Sequence, residues 1–285
     1  MAHDMSKGMH WIGHPGSLHP IIDFGEESVS DDIVQSVEVD MDGTRHVRVS
    51  RHRPLRSWRL AVPNAHADQI APLRALLTAT LPPYVLITAD AQVSNVLTPE
   101  RSVMSDLITP SALGMAGAWP KEDGTWATIT RTNPSAMFGA IGEVRVGPAP
   151  TPPVFTGRTV TVSCQLATAR AAGACVALDW LDAAGAGMSY VQGNYVTGMD
   201  KLRRSTASGV PPAGAVACRI TISYAEIIAE PQVTWTDAVI PEWTVGNGAD
   251  QVVISDHSRS TSMAAPDSRN LRRGSHDISL MEVGP

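Results

Sequence analysis

The chain has 285 residues, is 43% hydrophobic and 18% charged, and carries a formal net charge of −6. That is long enough for two ordinary domains, too apolar for a disordered chain, and too acidic for a general nucleic-acid binder. Aromatic residues make up 5%, against 23 glycines and 21 prolines, a balance that favours short strands and turns over long helices.

The N-terminal stretch Met1–Gly8 lacks the basic start and apolar core of a secretory leader, and no apolar run reaches the roughly 18 residues of a membrane span. A soluble chain made in the cytoplasm, without membrane insertion, is therefore expected. Trp11–Asp23 is punctuated by Pro and Gly and reads as an extended arm that binds along a surface. Val34–Asp40 and Arg45–Ser50 alternate apolar and polar residues around Met41-Asp42-Gly43, which predicts a β-hairpin. Ser57–Val62 predicts a third strand with Trp58 and Leu60 on one face. Helical spacing of Ile70, Leu73, Leu76 and Leu77 predicts one helix, capped by Asn64, tolerating Pro72 in its first turns, and stopped at Pro82-Pro83. Tyr84–Ala89 reads as a buried strand.

From Thr125 the texture changes. Thr125–Arg131, Thr159–Ala167, Ala174–Leu181, Tyr190–Thr197, Lys201–Ser208, Ala215–Ile222 and Val233–Val239 read as short strands between Gly, Pro and Asp turns, the pattern of a β-sandwich. Three more strands follow at Gln251–Ser255, Arg259–Met263 and His276–Val283. Three strands cannot bury a core alone, and the N-terminal strands need partners too. All nine histidines lie in residues 3–66 and 257–276, so composition also groups the two ends. The predicted fold class is all-β: a discontinuous β-sandwich or barrel domain with one helix (1–105 and 244–285), interrupted by an inserted jelly-roll β-sandwich (106–243).

Catalytic signatures are lacking. The middle has no histidine to serve as a general base, no GxSxG elbow is found, and Asp179 and Asp182 lie on one strand and the turn after it rather than flanking a substrate. Asp182 reads as a turn residue. His10, His14 and His19 are spaced four and five residues apart, but Gly13, Pro15 and Gly16 forbid the helix that would align them. They are expected at a surface or interface, and neither a metal nor a cofactor is expected. Cys164, Cys175 and Cys218 form no CxxC pair, sit in apolar strands, and read as buried free thiols. Arg45, Arg48, Arg51, Arg53, Arg56 and Arg59 surround Trp58; pairing with carboxylates of a neighbouring subunit is favoured over nucleic-acid binding. Trp11, Arg48, Arg53, Arg56 and Trp58 are the candidate subunit contacts. Trp180 alternates with Val176 and Leu178 and is assigned to the core. Trp126, Tyr190 and Tyr195 are the candidate glycan contacts.

The run Arg53-Pro54-Leu55-Arg56-Ser57-Trp58 followed by a helix, and the run Ala91–Pro99 (AQVSNVLTP), resemble minor tail proteins of long-tailed phages infecting actinobacteria. Thr156–Ser163, Asp179–Gly185 and Pro211–Val216 resemble parts of a carbohydrate-binding jelly roll, a module that such proteins carry. Trp243–Gly248 looks like their closing segment. The resemblance implies a non-enzymatic structural component of the virion at the tail tip, as a distal tail ring or minor tail protein. Its implied partners are copies of itself in a ring, the tail tube, the tail hub and the tape measure. An adhesion protein recognising host cell-wall glycan is the alternative.

Overall fold

The computed structural model describes residues 9–21, 26–32, 35–39, 45–49, 55–79, 82–103, 113–132, 143–146, 152–238, 240, 242–261 and 273–283. The protein is mainly β, with antiparallel strand pairs in each of its sheets. It divides into two compact units: one of Met1–Gly13, His19–Leu86 and Ala249–Pro285, the other of His14–Leu18 and Ile87–Gly248. Among the described residues no helix is long and apolar enough to cross a membrane.

The first unit is built on a seven-stranded sheet. Its strands are β1 (His10–His14), β2 (Ser17–Ile21), β3 (Glu26–Asp32), β6 (Leu55–His66), β7 (Tyr84–Ile87), β17 (Ala249–Thr261) and β18 (Arg273–Glu282), in the order β2-β1-β7-β17-β18-β6-β3. Strand periodicity decides the core face. Register sets Trp58 opposite Leu280, Leu60 opposite Ile278 and Val62 opposite His276, and all six are buried. Helix α1 (Ala67–Ala79) adds Ile70, Leu73 and Leu76 to the same apolar cluster. The Tyr84 hydroxyl donates to the Leu76 carbonyl at 3.0 Å, occupying an acceptor near the helix end.

Several expectations need correction here. The segment from Trp11 is not a surface arm. It forms the β1–β2 hairpin, and Ile12 and Ile21 join the core, because β-branched residues at these positions bury more area in the sheet than along a surface. Asn64 lies within β6 rather than capping the helix, which starts at Ala67, and Leu77 is exposed. The two strands expected at 251–255 and 259–263 are one strand, β17, carrying a register shift between Ile254 and Asp256. The hairpin strands appear as β4 (Gln35–Val39) and β5 (Arg45–Val49), while their Asp42-Gly43 turn lies outside the described residues.

The second unit is a β-sandwich. One sheet has the order β10-β15-β12-β13, from β10 (Glu143–Val146), β12 (Cys175–Leu181), β13 (Gly187–Gln192) and β15 (Ala217–Ser223). The other has the order β14-β11-β16-β9-β8, from β8 (Leu113–Pro120), β9 (Trp126–Thr132), β11 (Val160–Thr168), β14 (Gly198–Gly209) and β16 (Ile227–Thr234). Val176, Leu178 and Trp180 of β12 and Cys218, Ile220 and Ile222 of β15 fill the interior. The two sheets meet where the Val176 amide donates to the Ser205 hydroxyl at 2.9 Å, and where Gly209 leaves room for the Trp180 ring. Sequence reading did not locate β8, which is rich in Gly and Ala, or β10, which alternates over only four residues, and β16 begins six residues before its predicted start. Asp182 is a turn residue: its Oδ1 accepts from the Ala184 and Ala186 amides, both at 2.9 Å.

Short helices α2 (Ala89–Val93) and α3 (Pro99–Ser102) lead into the sandwich, each capped by a threonine hydroxyl, from Thr88 and Thr98. The connector between them is zipped to the chain leaving the unit. The Asn247 amide donates to the Asn95 carbonyl and the Gly248 amide to the Leu97 carbonyl, both at 2.9 Å. A Cβ at Gly246 would overlap the Leu97 carbonyl, and one at Gly248 the Val96 carbonyl, so both positions require glycine for close approach. Asn95, fully buried, completes the clamp. Its Nδ2 donates to the carbonyls of Pro231 (3.3 Å) and Thr244 (3.0 Å), and its Oδ1 accepts from the amides of Leu97 (3.2 Å) and Val233 (3.1 Å). The entry and exit of this unit are thus held side by side.

Candidate functional site

The residues expected at subunit contacts separate into three groups. Trp11, Arg56 and Trp58 are buried within the chain, so their side chains are withdrawn from any neighbour. The reason is parity: Arg56, Trp58, Leu60 and Val62 share the inward positions of β6, whereas Arg59 faces out. Arg56 is satisfied internally. Its Nε and Nη2 reach Glu282 at 3.2 and 3.3 Å, and its guanidinium lies 5.1 Å from the centre of the Trp58 ring. Arg48 lies on β5 opposite Ser36, and Arg53 falls outside the described residues.

Of the three histidines expected at a surface or interface, His14 and His19 are partly exposed and His10 is not. His10 is buried in β1, and burial pushes its pKa down to about 4. His257 and His276 form a pair across β17 and β18, with Nε2 and Nδ1 3.0 Å apart. Burial, and then neighbouring positive charge, lower both pKa values. Among the described residues no group of three His, Cys, Asp or Glu side chains converges as a metal site would require. Cys164, Cys175 and Cys218 are buried and unbridged. Desolvation pushes the Cys164 thiol up to about 12 and raises the Cys218 thiol as well, so neither is a nucleophile at neutral pH.

The outward face of the seven-stranded sheet, opposite the helix, carries short polar side chains. Ser28, Ser30, Ser57, Arg59, Ser255 and Met281 line a shallow depression of about 160 Å³. Sequence reasoning did not single out this face, because its serines alternate with the core residues that attracted notice.

On the sandwich, the two outer faces differ. That of the five-stranded sheet is covered by the connector and the exit segment. Gln232 donates to the Ser94 carbonyl at 2.7 Å, Trp243 to the Pro231 carbonyl at 3.1 Å, and Arg204 to Ser163, Gln232 and the Ile240 carbonyl. Even the outward residues Thr161, Ser163 and Gln165 are consequently buried.

The four-stranded sheet carries a grid on its outer face that is exposed along β13 and buried at Ala177 and Thr221. Since Val176, Leu178 and Trp180 point inward, Ala177 and Asp179 point outward, and the same alternation places Tyr190 and Gln192 of β13 and Arg219 and Thr221 of β15 on that face. Register aligns Tyr190, Asp179 and Arg219 in one row and Gln192, Ala177 and Thr221 in the next. Asp179 Oδ2 accepts from Arg219 Nη2 at 3.1 Å and Nε at 3.4 Å, and from the Thr221 hydroxyl at 2.7 Å. Gln192 Nε2 donates to the Tyr195 hydroxyl at 2.6 Å. The three aromatic candidates are all exposed, Trp126 and Tyr190 at 67% and Tyr195 at 52%. Only Tyr190 and Tyr195 belong to this grid; Trp126 begins β9, on the other sheet.

No protein-family model and no curated protein matches the sequence. Among solved structures, the chain is similar to the CBM22-1–GH10 modules of endo-1,4-β-D-xylanase 10B from Clostridium thermocellum complexed with xylohexaose. The identity is 13% and the TM-score 0.32, over 50% of this chain and 28% of that one. It is also similar to the infectious bursal disease virus VP2 subviral particle, with 10% identity and a TM-score of 0.20, over 98% of this chain and 69% of that one. At these scores neither overlap bears on function, which rests on the geometry above.

Proposed function

We propose that the protein is a structural component of a phage tail tip, a distal tail ring or minor tail protein, that joins neighbouring tail subunits and presents its sandwich outward. The observation that carries this reading is the open seven-stranded sheet assembled from both ends of the chain. Strands β2 and β3 terminate it among the described residues, and its helix-free face carries a shallow polar depression in which Ser28, Ser30 and Arg59 are exposed. Sheet edges offer backbone donors and acceptors to another chain. A head-to-tail contact between unlike edges closes into a ring when the rotation permits.

Function on this reading is non-covalent, with no enzymatic step. The neighbours would be further copies of the chain, the tail tube, the tail hub and the tape measure. Sedimentation of the purified chain over a concentration series, with immunogold labelling of virions, tests it. Self-association and label at the tail tip are expected. A chain that stays monomeric at high concentration and is missing from particles would refute it. A second reading, adhesion to host cell-wall glycan, is favoured by the exposure of Tyr190 and Tyr195 on the uncovered sandwich face.

A further inference from the structure

We propose that the uncovered face of the four-stranded sheet is a binding site for a neutral glycan, centred on the Tyr190–Asp179–Arg219 row. This rests on the reading of the sandwich as an outward-facing module. Three features of the grid define the ligand.

The first is charge. The Asp179 carboxylate is matched by the Arg219 guanidinium, so the row is polar without net charge. Arg219 is committed to Asp179, and an anionic ligand would meet the carboxylate. The second is direction. All three donors converge on Asp179 Oδ2, and its Oδ1 has no partner among the described residues. A fixed carboxylate oxygen at a half-buried position is an acceptor for a hydroxyl group, and its two bonded neighbours hold it in place before the ligand arrives. The third is shape. Ala177, 7% exposed, forms a low floor between Gln192 and Thr221, while the Tyr190 ring stands beside it, accessible to the C–H face of a sugar. Tyr195 is tied by its hydroxyl to Gln192, two residues along β13 from Tyr190. Two residues of strand rise, roughly 7 Å, separate Tyr190 from Gln192, and the Gln192 bond brings the Tyr195 hydroxyl to that point beyond the end of the strand, so an oligosaccharide running along β13 would meet both.

Sugar hydroxyls, an apolar ring face and no net charge are the attributes this surface matches together. A phosphate matches none of them, an acidic polysaccharide fails on charge, and an apolar helix would leave Asp179 Oδ1 unpaired.

The test uses the full chain and a panel of neutral hexasaccharides (xylo-, cello-, manno- and galacto-series), with polygalacturonate as the acidic comparison, read by calorimetry. At least one neutral hexasaccharide is expected to bind. Tyr190→Ala should weaken it tenfold or more, Tyr190→Phe should leave it within about threefold, and Trp126→Ala, an equally exposed aromatic on the other sheet, should leave it unchanged. Both positions are exposed, and circular dichroism checks the fold. Four results would overturn the proposal: no neutral hexasaccharide binding at about 1 mM, binding of the acidic polymer alone, loss on Trp126→Ala but not Tyr190→Ala, or a change of oligomeric state on Tyr190→Ala in place of a change in binding. The tail reading fails separately. A chain that binds glycan but is missing from virions refutes the tail assignment, and a labelled tail tip with no glycan binding refutes only the site.

Discussion

Replacing Asn95 by alanine tests whether the clamp at the entry of the sandwich holds the unit together. Asn95 is fully buried and makes four hydrogen bonds to backbone groups of three separate segments: its own connector, β16 and the exit chain at Thr244. Alanine removes all four. The Pro231 carbonyl keeps a bond from Trp243, which leaves the Leu97 and Val233 amides and the Thr244 carbonyl to be satisfied otherwise. Each orphaned buried group costs about 1–3 kcal/mol, part of which relaxation or an entering water recovers. A loss of about 3–5 kcal/mol for the second unit follows. For a unit of this size that corresponds to a melting shift of about 10 °C. Because the chain has two units, a single two-state fit is inappropriate, and calorimetry should show one transition moving and the other staying. Ser94→Ala is the control: its hydroxyl makes only a local, exposed bond to the Asp90 carbonyl, so its effect should be within about 0.5 kcal/mol. An Asn95→Ala protein melting within about 2 °C of wild type would refute the reasoning.

Three further outcomes follow from the same packing. Arg56→Met should destabilise the first unit by about 3–5 kcal/mol, because it leaves Glu282 charged and buried, whereas Arg56→Met with Glu282→Leu should recover much of the loss; urea denaturation midpoints of the single and double variants measure this. His10 is held neutral, its folded pKa lying below that of the unfolded chain. Its contribution is therefore complete above the unfolded value of about 6.5, declines as pH falls, and is gone by about 4, a total of about 3 kcal/mol; His257 and His276 act in the same direction. Thermal melts between pH 7.5 and 4 should show the decline, and a His10→Leu variant should show a shallower one. Finally, Cys164, Cys175 and Cys218 should resist a thiol reagent in the native protein and react together on unfolding, as counted by absorbance; a thiol titrated under native conditions would contradict their burial.

Sequence alone determined what depends on local pattern. Period-two alternation located most strands of the sandwich, assigned Trp180 to the interior, and marked Asp182 as a turn residue. The strand count at the two ends showed that neither could bury a core by itself. Helical spacing found α1, although its start was missed because Asn64, a good cap, is held in β6 by the sheet. Tertiary structure decided everything that depends on which faces meet. Arg56 and Trp58 looked like an exposed basic patch until register placed them inward beside Glu282. Ile12 and Ile21 looked like parts of an arm until the sheet gave them neighbours. Asn95 carried no local signal, since its four partners lie in three segments up to 149 residues away along the chain. The same holds for the grid. Tyr190 and Tyr195 were legible as aromatics near a turn, but Asp179, Arg219 and Thr221 become a single polar network only because strand order sets β12 between β13 and β15. Local sequence encodes the alternation of faces; the pairing of strands, a non-local choice made by burying those faces, decides which residues share a surface.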